Sequence, residues 1–289
     1  MEFCPKIRSI RGLHLTATFT ILLFTSAMMN AQKMQLVWQD EFDHSGKPDP
    51  KKWSYETGFI RNLEAQYYTS RKKNVRVRNG KLIITARNEY YQNPDYDPEI
   101  KDYRMNTPET NYTSGSIHTS GKFDFKYGRI DVRASLPKAA GSWPAIWMLG
   151  SNFEDVVYPE AGEIDIMEHV GKNQGEIHGS VHYANEENEI VSKTDTTFVP
   201  NASEEFHVYS VDWNRDRIEF LVDNMVYHTF EISDAGSRNN PFRKPFFILI
   251  NLALGGKWAG EIDDSKFPQK FLIDYVRVYQ QIENKKAGL

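Results

Sequence analysis

The 289-residue chain carries 35 basic and 39 acidic side chains, net −4, and no basic arm, which argues against a polyanion such as nucleic acid as its partner. Its one cysteine, Cys4, rules out an intrachain disulfide, so a packed core must hold the fold, and some 250 residues are ample for one. Aromatics are abundant, with 6 Trp, 15 Tyr and 17 Phe, which suits both a large β-structure and a protein that stacks sugar rings.

The first segment differs from the rest. Lys6, Arg8 and Arg11 precede Leu13–Met29, a run without a charged residue, and "NAQ" follows. This order of basic region, apolar core and small residues predicts a secretory signal over residues 1–31, cleaved near Ala31–Gln32. A membrane anchor is the alternative reading. His14 and the interspersed Thr and Ser residues make the run weak for a span, which needs about 20 strongly apolar residues. The expected product is a single domain of residues 32–289, with its core over about 35–281, secreted or periplasmic, monomeric and free of the membrane.

From Gln35 onward, short runs rich in β-branched and aromatic residues follow one another. They include "VRVRNGKLIITAR" (75–87), "GKFDFKYGRIDVRASL" (121–136), "GEIDIMEHV" (162–170), "IHGSVHY" (177–183), "HVYSVDW" (207–213), "RIEFLVDNMVYHTF" (217–230), "FFILINLAL" (246–254) and "FLIDYVRVYQ" (271–280). "RNG" (78–80) and "VDNM" (222–225) predict hairpin turns. Phe123, Phe125 and Tyr127 alternate as on one strand face, and Ile130, Val132 and Ala134 as on another. Segment 88–113, rich in Asn, Asp and Pro, predicts an excursion over the surface or a cleft rim. Many strands without a βαβ rhythm predict an all-β, antiparallel sandwich or barrel.

The stretch "GEIDIMEHVG" (162–171) sets Glu163, Asp165 and Glu168 among Ile164, Ile166, Met167 and Val170. On a strand Glu163 and Asp165 share a face, and strict alternation would send Glu168 to the other. One extra residue, a β-bulge near Met167, returns Glu168 to the first face. A helix would scatter the acids about 200° and 140° from Glu163. Three carboxylates in one groove repel, so that one stays protonated beside one ionised. Glycoside hydrolysis with retention needs such a pair. On this reading Glu163 is the nucleophile, Asp165 the partner that tunes it and Glu168 the general acid/base. Solvated acids on an exposed strand, or a divalent-metal site, remain open on spacing alone. His169 reads as a surface or packing residue.

Taken together, these motifs resemble glycoside hydrolase family 16, in the branch of the laminarinases (endo-β-1,3-glucanases). "WQDEFD" (38–43), "NLEAQYYT" (62–69), "GKLIITAR" (80–87), "SGKFDFKYGRIDVRASLP" (120–137), "GSWPAIWMLG" (141–150), "GSVHY" (179–183), "ILINLALGGKWAG" (248–260) and "DYVRVYQ" (274–280) follow in the family's order. The resemblance implies a β-jelly-roll of two antiparallel sheets with a concave substrate cleft, and the same roles for Glu163, Asp165 and Glu168. It implies a retaining, endo-acting hydrolase of laminarin-type and mixed-linkage β-glucans, with no catalytic cofactor. It further implies that Asn62 and Arg87 meet non-reducing-side sugars, and that Trp143 and Trp147 line the subsites near the scissile bond. His182 and Asn251 fall beside the nucleophile and Trp258 in a loop over the cleft, whereas Trp38, Trp53 and Trp213 are left to packing. The resemblance also implies a structural Ca²⁺ on the convex face, held through carbonyl oxygens and an Asp at Glu41, Gly80 and Asp274. Lys257 and Leu63 depart from the family's common Asn at both positions. An agarose or porphyran hydrolase of the same family, a transglycosylase and a non-catalytic glucan-binding module are the alternatives.

Overall fold

The structure, a computed structural model, describes Met1 and residues 34–281. The expected signal segment lies outside the described residues. Seventeen strands follow along the chain: β1 (Met34–Asp40), β2 (Ser54–Glu56), β3 (Tyr67–Tyr68), β4 (Val75–Val77), β5 (Leu82–Gln92), β6 (Glu109–Ser114), β7 (Ser116–His118), β8 (Gly128–Ser135), β9 (Ser142–Gly150), β10 (Glu163–Glu168), β11 (Glu176–Ala184), β12 (Ile190–Phe198), β13 (His207–Trp213), β14 (Arg217–Val222), β15 (Met225–Glu231), β16 (Phe246–Leu254) and β17 (Gln269–Gln281). The α-helices among the described residues are α1 (Tyr103–Asn106) and α2 (Gly256–Ala259), each four residues long.

The strands form two sheets. One has the order β15-β14-β13-β8-β17-β5-β6-β3, with β1 on β17 and β4 on β5; the other runs β12-β11-β10-β9-β16-β7-β2. Pairing is antiparallel except for the short β3–β6 contact. This is the sandwich expected from the alternating runs. Both predicted hairpins are present. Val77 pairs with Leu82 across Asn79 and Gly80, and Val222 pairs with Met225 across Asp223 and Asn224. All four turn residues have positive φ, as a two-residue turn matching the strand twist requires.

The inner faces carry the core. Ile146, Ile164, Ile166, Met167, Val181, Ile248 and Ile250 of the second sheet pack in one cluster with Ile130, Val132, Tyr209, Val211, Val276 and Val278 of the first. Every one of the nine residues of β16 is buried. One face of this strand lies in the sandwich. On the other, Phe247 and Leu249 form a second cluster with Ala145 and Trp147.

Two expectations change. Residues 123–127 do not continue the β8 strand; only Phe125 bridges, to Phe246, and Tyr127 at φ 60° and Gly128 at φ 126° turn the chain before β8 begins. The excursion is also shorter than 88–113. β5 runs to Gln92 and pairs with Glu109 of β6, leaving residues 93–108 and α1 as the protruding part.

Candidate active site

The acids depend on β10. Asp165 faces Trp147 on β9 and Met167 faces Ile146, one residue out of register; on β11, Asp165 faces Ser180 and Glu168 faces His178, again one out. That is the expected bulge, and it falls on Ile166 and Met167, both fully buried in the sandwich. Their burial leaves Glu163, Asp165 and Glu168 on the opposite, concave face.

Glu163 and Glu168 line both parts of an open cleft. One part, 520 Å³, extends over β9, β16, β7 and the loop after β2, and contains Asn62, Trp143, Trp147 and Asn251. The other, 440 Å³, extends over β11 and β12 and contains Ser180, His182, Thr194 and Trp258. Asp165 lies between the two glutamates in sequence and is 2% exposed. The acids are therefore not an ordinary solvated strand face.

Burial, then the neighbouring Asp165 charge, raises Glu163 to about 8, against the pull of His182 and Arg61. Burial and Glu163 raise Glu168 to about 7, while a hydrogen bond from the Trp143 indole, Nε1 to Oε1 at 3.0 Å, favours its ionised form. Burial and then Glu168 hold Asp165 well above the usual carboxylate range. Glu163 and Asp165 are hydrogen-bonded to each other, so the two buried acids hold one proton between them. His182 Nε2 lies 3.0 Å from Asp165 Oδ2 and its Nδ1 lies 2.7 Å from Ser192 Oγ, so strand β12 braces the acid triad through one imidazole.

The other expected residues divide. Trp143 is half-buried and meets Trp258 edge to face at 4.9 Å, forming an aromatic corner beside Glu168. Trp147 is 7% exposed and donates to Asn251 Oδ1 at 2.8 Å; Asn251 in turn donates to the Tyr68 hydroxyl at 3.0 Å. Asn62, at φ 58°, donates to Glu64 Oε1 at 3.2 Å. Arg87 is not brought to this site. It lies on β5 of the other sheet, opposite Thr113, and is absent from the lining of both parts of the cleft. His169 is fully buried, with Nδ1 on the Glu176 carbonyl at 3.0 Å, and acts in packing. Trp53 and Trp213 are core residues, and Trp38 stacks on Phe123.

Several cleft residues had no counterpart in the sequence reading. Arg61, Glu64 and Tyr158 line the cleft, as does Arg104 of α1. The Tyr158 hydroxyl is hydrogen-bonded to Glu163. The adjacency of Arg61 and Glu64 to Asn62 was the available signal; Tyr158 sits on an irregular loop and Arg104 on the one-turn helix α1, neither long enough to carry a periodicity.

Two cation sites can be weighed. Glu163, Asp165 and His182 place ligand atoms within 4.8 Å of one another, three donors where a hard cation takes six or more. At the expected Ca²⁺ site, β17 brings Asp274 beside the Gly80 turn and the end of β1, since Ile273 pairs with Leu82 and Val276 with Asp40. Of the three, only Asp274 is expected to offer its carboxylate, and that carboxylate is already held by Arg133. Glu41 takes a two-pronged ion pair from Arg277 at 2.8 and 2.9 Å, and Arg133 holds Asp274 at 2.7 Å.

Comparison with known proteins agrees with this geometry. The family description that matches residues 62–277 is glycosyl hydrolases family 16. The chain is 38% identical to a β-glucanase of Rhodothermus marinus, over 96% of this chain and 99% of that one. The solved structure of the Rhodothermus marinus laminarinase superposes with a TM-score of 0.76 at 38% identity, covering 87% of this chain and 99% of that one. A structure from work on endo-acting O-glycanases, expressed by prominent members of the human gut microbiota to initiate mucin breakdown, superposes with a TM-score of 0.81 at 37% identity, covering 86% and 91%. With its bulged acidic strand in an open concave cleft, the chain belongs to glycosyl hydrolase family 16.

Proposed function

We propose that the protein is a retaining, endo-acting glycoside hydrolase that cleaves β-1,3-glucosidic bonds in laminarin-type glucans, and mixed-linkage β-1,3/1,4-glucans as well. The observation that carries this reading is the β10 bulge, which places Glu163, Asp165 and Glu168 together in an open cleft. An open cleft admits a chain at an internal bond. In the first step Glu168 gives its proton to the glycosidic oxygen as the C1–O bond breaks, and the Glu163 carboxylate bonds to C1. In the second, Glu168, now ionised, takes a proton from water as the water oxygen displaces Glu163 from C1. Asp165 remains protonated and steadies the Glu163 charge before and after it is shared with the sugar.

Charge selects among substrates. Glu56, Glu64, Glu163 and Glu168 line the larger part of the cleft, against Arg61 and Arg104, and Arg104 is paired with Asp102. Such a cleft favours neutral chains over the charged galactans of algae. A second reading has one specific observation in its favour, the superposition on the O-glycanase structure: a neutral host O-glycan would be cut internally by the same three acids. Release of reducing ends from laminarin, mixed-linkage glucan, agarose, porphyran and mucin O-glycans, with Glu163→Ser as control, separates these readings. Release from laminarin that depends on Glu163 supports the first, and release from O-glycans alone the second. A folded protein inert on all five would be a binding module.

Export through the N-terminal segment, to the periplasm or beyond, and action as a monomer are part of this proposal, checked by cell fractionation and light scattering. A Ca²⁺ near Glu41, Gly80 and Asp274 is proposed only as a stabiliser held on main-chain carbonyls, since Arg133 competes for Asp274. A melting temperature unmoved by millimolar Ca²⁺ after chelation would remove it.

A further inference from the structure

Trp147 lies in the cleft floor, yet its ring is not left free for a sugar. The Arg61 guanidinium carbon stands 5.0 Å from the ring centroid. Arg61 is held there by Glu56 of β2, whose other carboxylate oxygen accepts from Ser116 Oγ at 2.5 Å. Glu56 and Ser116 are register partners across β2 and β7, so the brace belongs to the sheet rather than to a loop. One guanidinium nitrogen, Nη1, is buried and has no hydrogen-bond partner among the described residues. The guanidinium as a whole still lines the cleft, on the side of Glu163 that leads toward β16, β7 and β2.

This arrangement has a consequence for recognition. An open indole face accepts any sugar through its C–H surface. A guanidinium laid on that indole presents directed N–H donors instead, and its planar fork is already ordered, so little entropy is lost when an acceptor docks. Glu56 offsets its charge, which suits a hydroxyl or ring oxygen better than a sulfate or carboxylate.

We propose that Arg61 is a specificity-determining residue: clamped between Trp147 and Glu56, it converts the subsite on this side of the nucleophile from a stacking platform into a hydrogen-bonding one for a neutral sugar. The proposal rests on the glycoside-hydrolase reading. Arg61 does not touch the reacting atoms, so its removal acts on binding of the extended chain.

The test uses aryl β-glycosides of one, two, three and four β-1,3-linked glucosyl units with a common aromatic leaving group, and the full protein. Wild type and Glu163→Ser come first; if no aryl glycoside or laminarin is cut in a Glu163-dependent way, the hydrolase reading fails before Arg61 is judged. Given that activity, Arg61→Met keeps the apolar stem over Trp147 and removes the donors. The expected result is a KM raised about 10- to 50-fold more on the longer substrates than on the one-unit substrate, while any change in kcat from the lost pull of Arg61 on Glu163 is shared by the whole series, because a lost hydrogen bond from a charged donor acts only where a sugar reaches it. Arg61→Lys should fail to restore the longer substrates, since a point charge lacks the fork. An equal rise in KM across the series, or none, would overturn the proposal. Should Arg61→Met fail to fold, Glu56→Gln loosens the clamp from its other end, and the same length-dependent loss is expected, smaller in size.

Discussion

At the level of single residues, the chemistry turns on who holds a proton. Glu168 stands at about 7, and the Trp143 indole, ahead of His182, favours its ionised form. A general acid works while protonated, so activity falls as pH rises through its pKa. Trp143→Phe keeps an aromatic ring against Trp258 and removes the donor. The expected result is an alkaline limb of the kcat/KM profile moved to higher pH, by about half a unit to one unit, the size of one hydrogen bond. A limb that stayed put or moved down would show that Trp143 does not set the acid. The three acids themselves were legible from their spacing. Spacing did not reveal their partners: Trp143 and His182 came only through the family resemblance and Tyr158 not at all, because they reach the acids from β9, β11 and an irregular loop, and no rule of sequence distance connects those positions.

Among the elements, β10 matters most. Its extra residue is the only reason that Glu168 shares a face with Glu163, because side chains otherwise alternate. Ile166 and Met167 both fill the sandwich, fully buried. Deleting Met167 leaves the three acids at even spacing, so strict alternation alone keeps Glu168 on the face of Glu163 and Asp165, opposite Ala145 and His178 as before; turnover of the folded deletion variant is expected within about tenfold of the wild type. Met167→Ala keeps the bulge and should instead cost about 2–4 kcal/mol in stability through the cavity left behind, with the active site intact. Chemical denaturation and turnover on laminarin check both variants. A folded deletion variant that lost activity about 10³-fold or more would show that the bulge does more than bring Glu168 back to the face of Glu163. The bulge was readable from the sequence because only an out-of-step residue makes three acids at offsets of two and three coherent. Strand ends were less readable: the 121–127 run alternates well but is broken by the positive φ values of Tyr127 and Gly128.

For the whole molecule, the active site is a burden on stability with a defined pH sign. Burial raises Glu163 to about 8 and Glu168 to about 7 from an ordinary value of 4.5. The folded protein therefore binds more protons than the unfolded chain between about pH 4.5 and 8, and stability falls as pH rises through that window. Glu163→Gln removes one such group. Its melting temperature should exceed that of the wild type, with a gap that is small near pH 5 and grows to several degrees by pH 8. Calorimetry across that range checks it, and a gap that shrank with rising pH would contradict the burial argument.

Composition, alternation and turn residues by themselves determined an all-β sandwich, both I′-like hairpins and the carboxylate cluster with its bulge, because those follow from the period-two geometry of a strand and from local φ preferences. Tertiary structure decided the rest. It left Arg87 on the other sheet and paired the Asp274 carboxylate of the expected Ca²⁺ site with Arg133. It also laid Arg61 on Trp147, with Glu56 of an edge strand as its brace. Each of these depends on which strands become neighbours in a sheet. Contacts between residues far apart along the chain are set by the packing of two apolar faces against each other, and no local pattern records them.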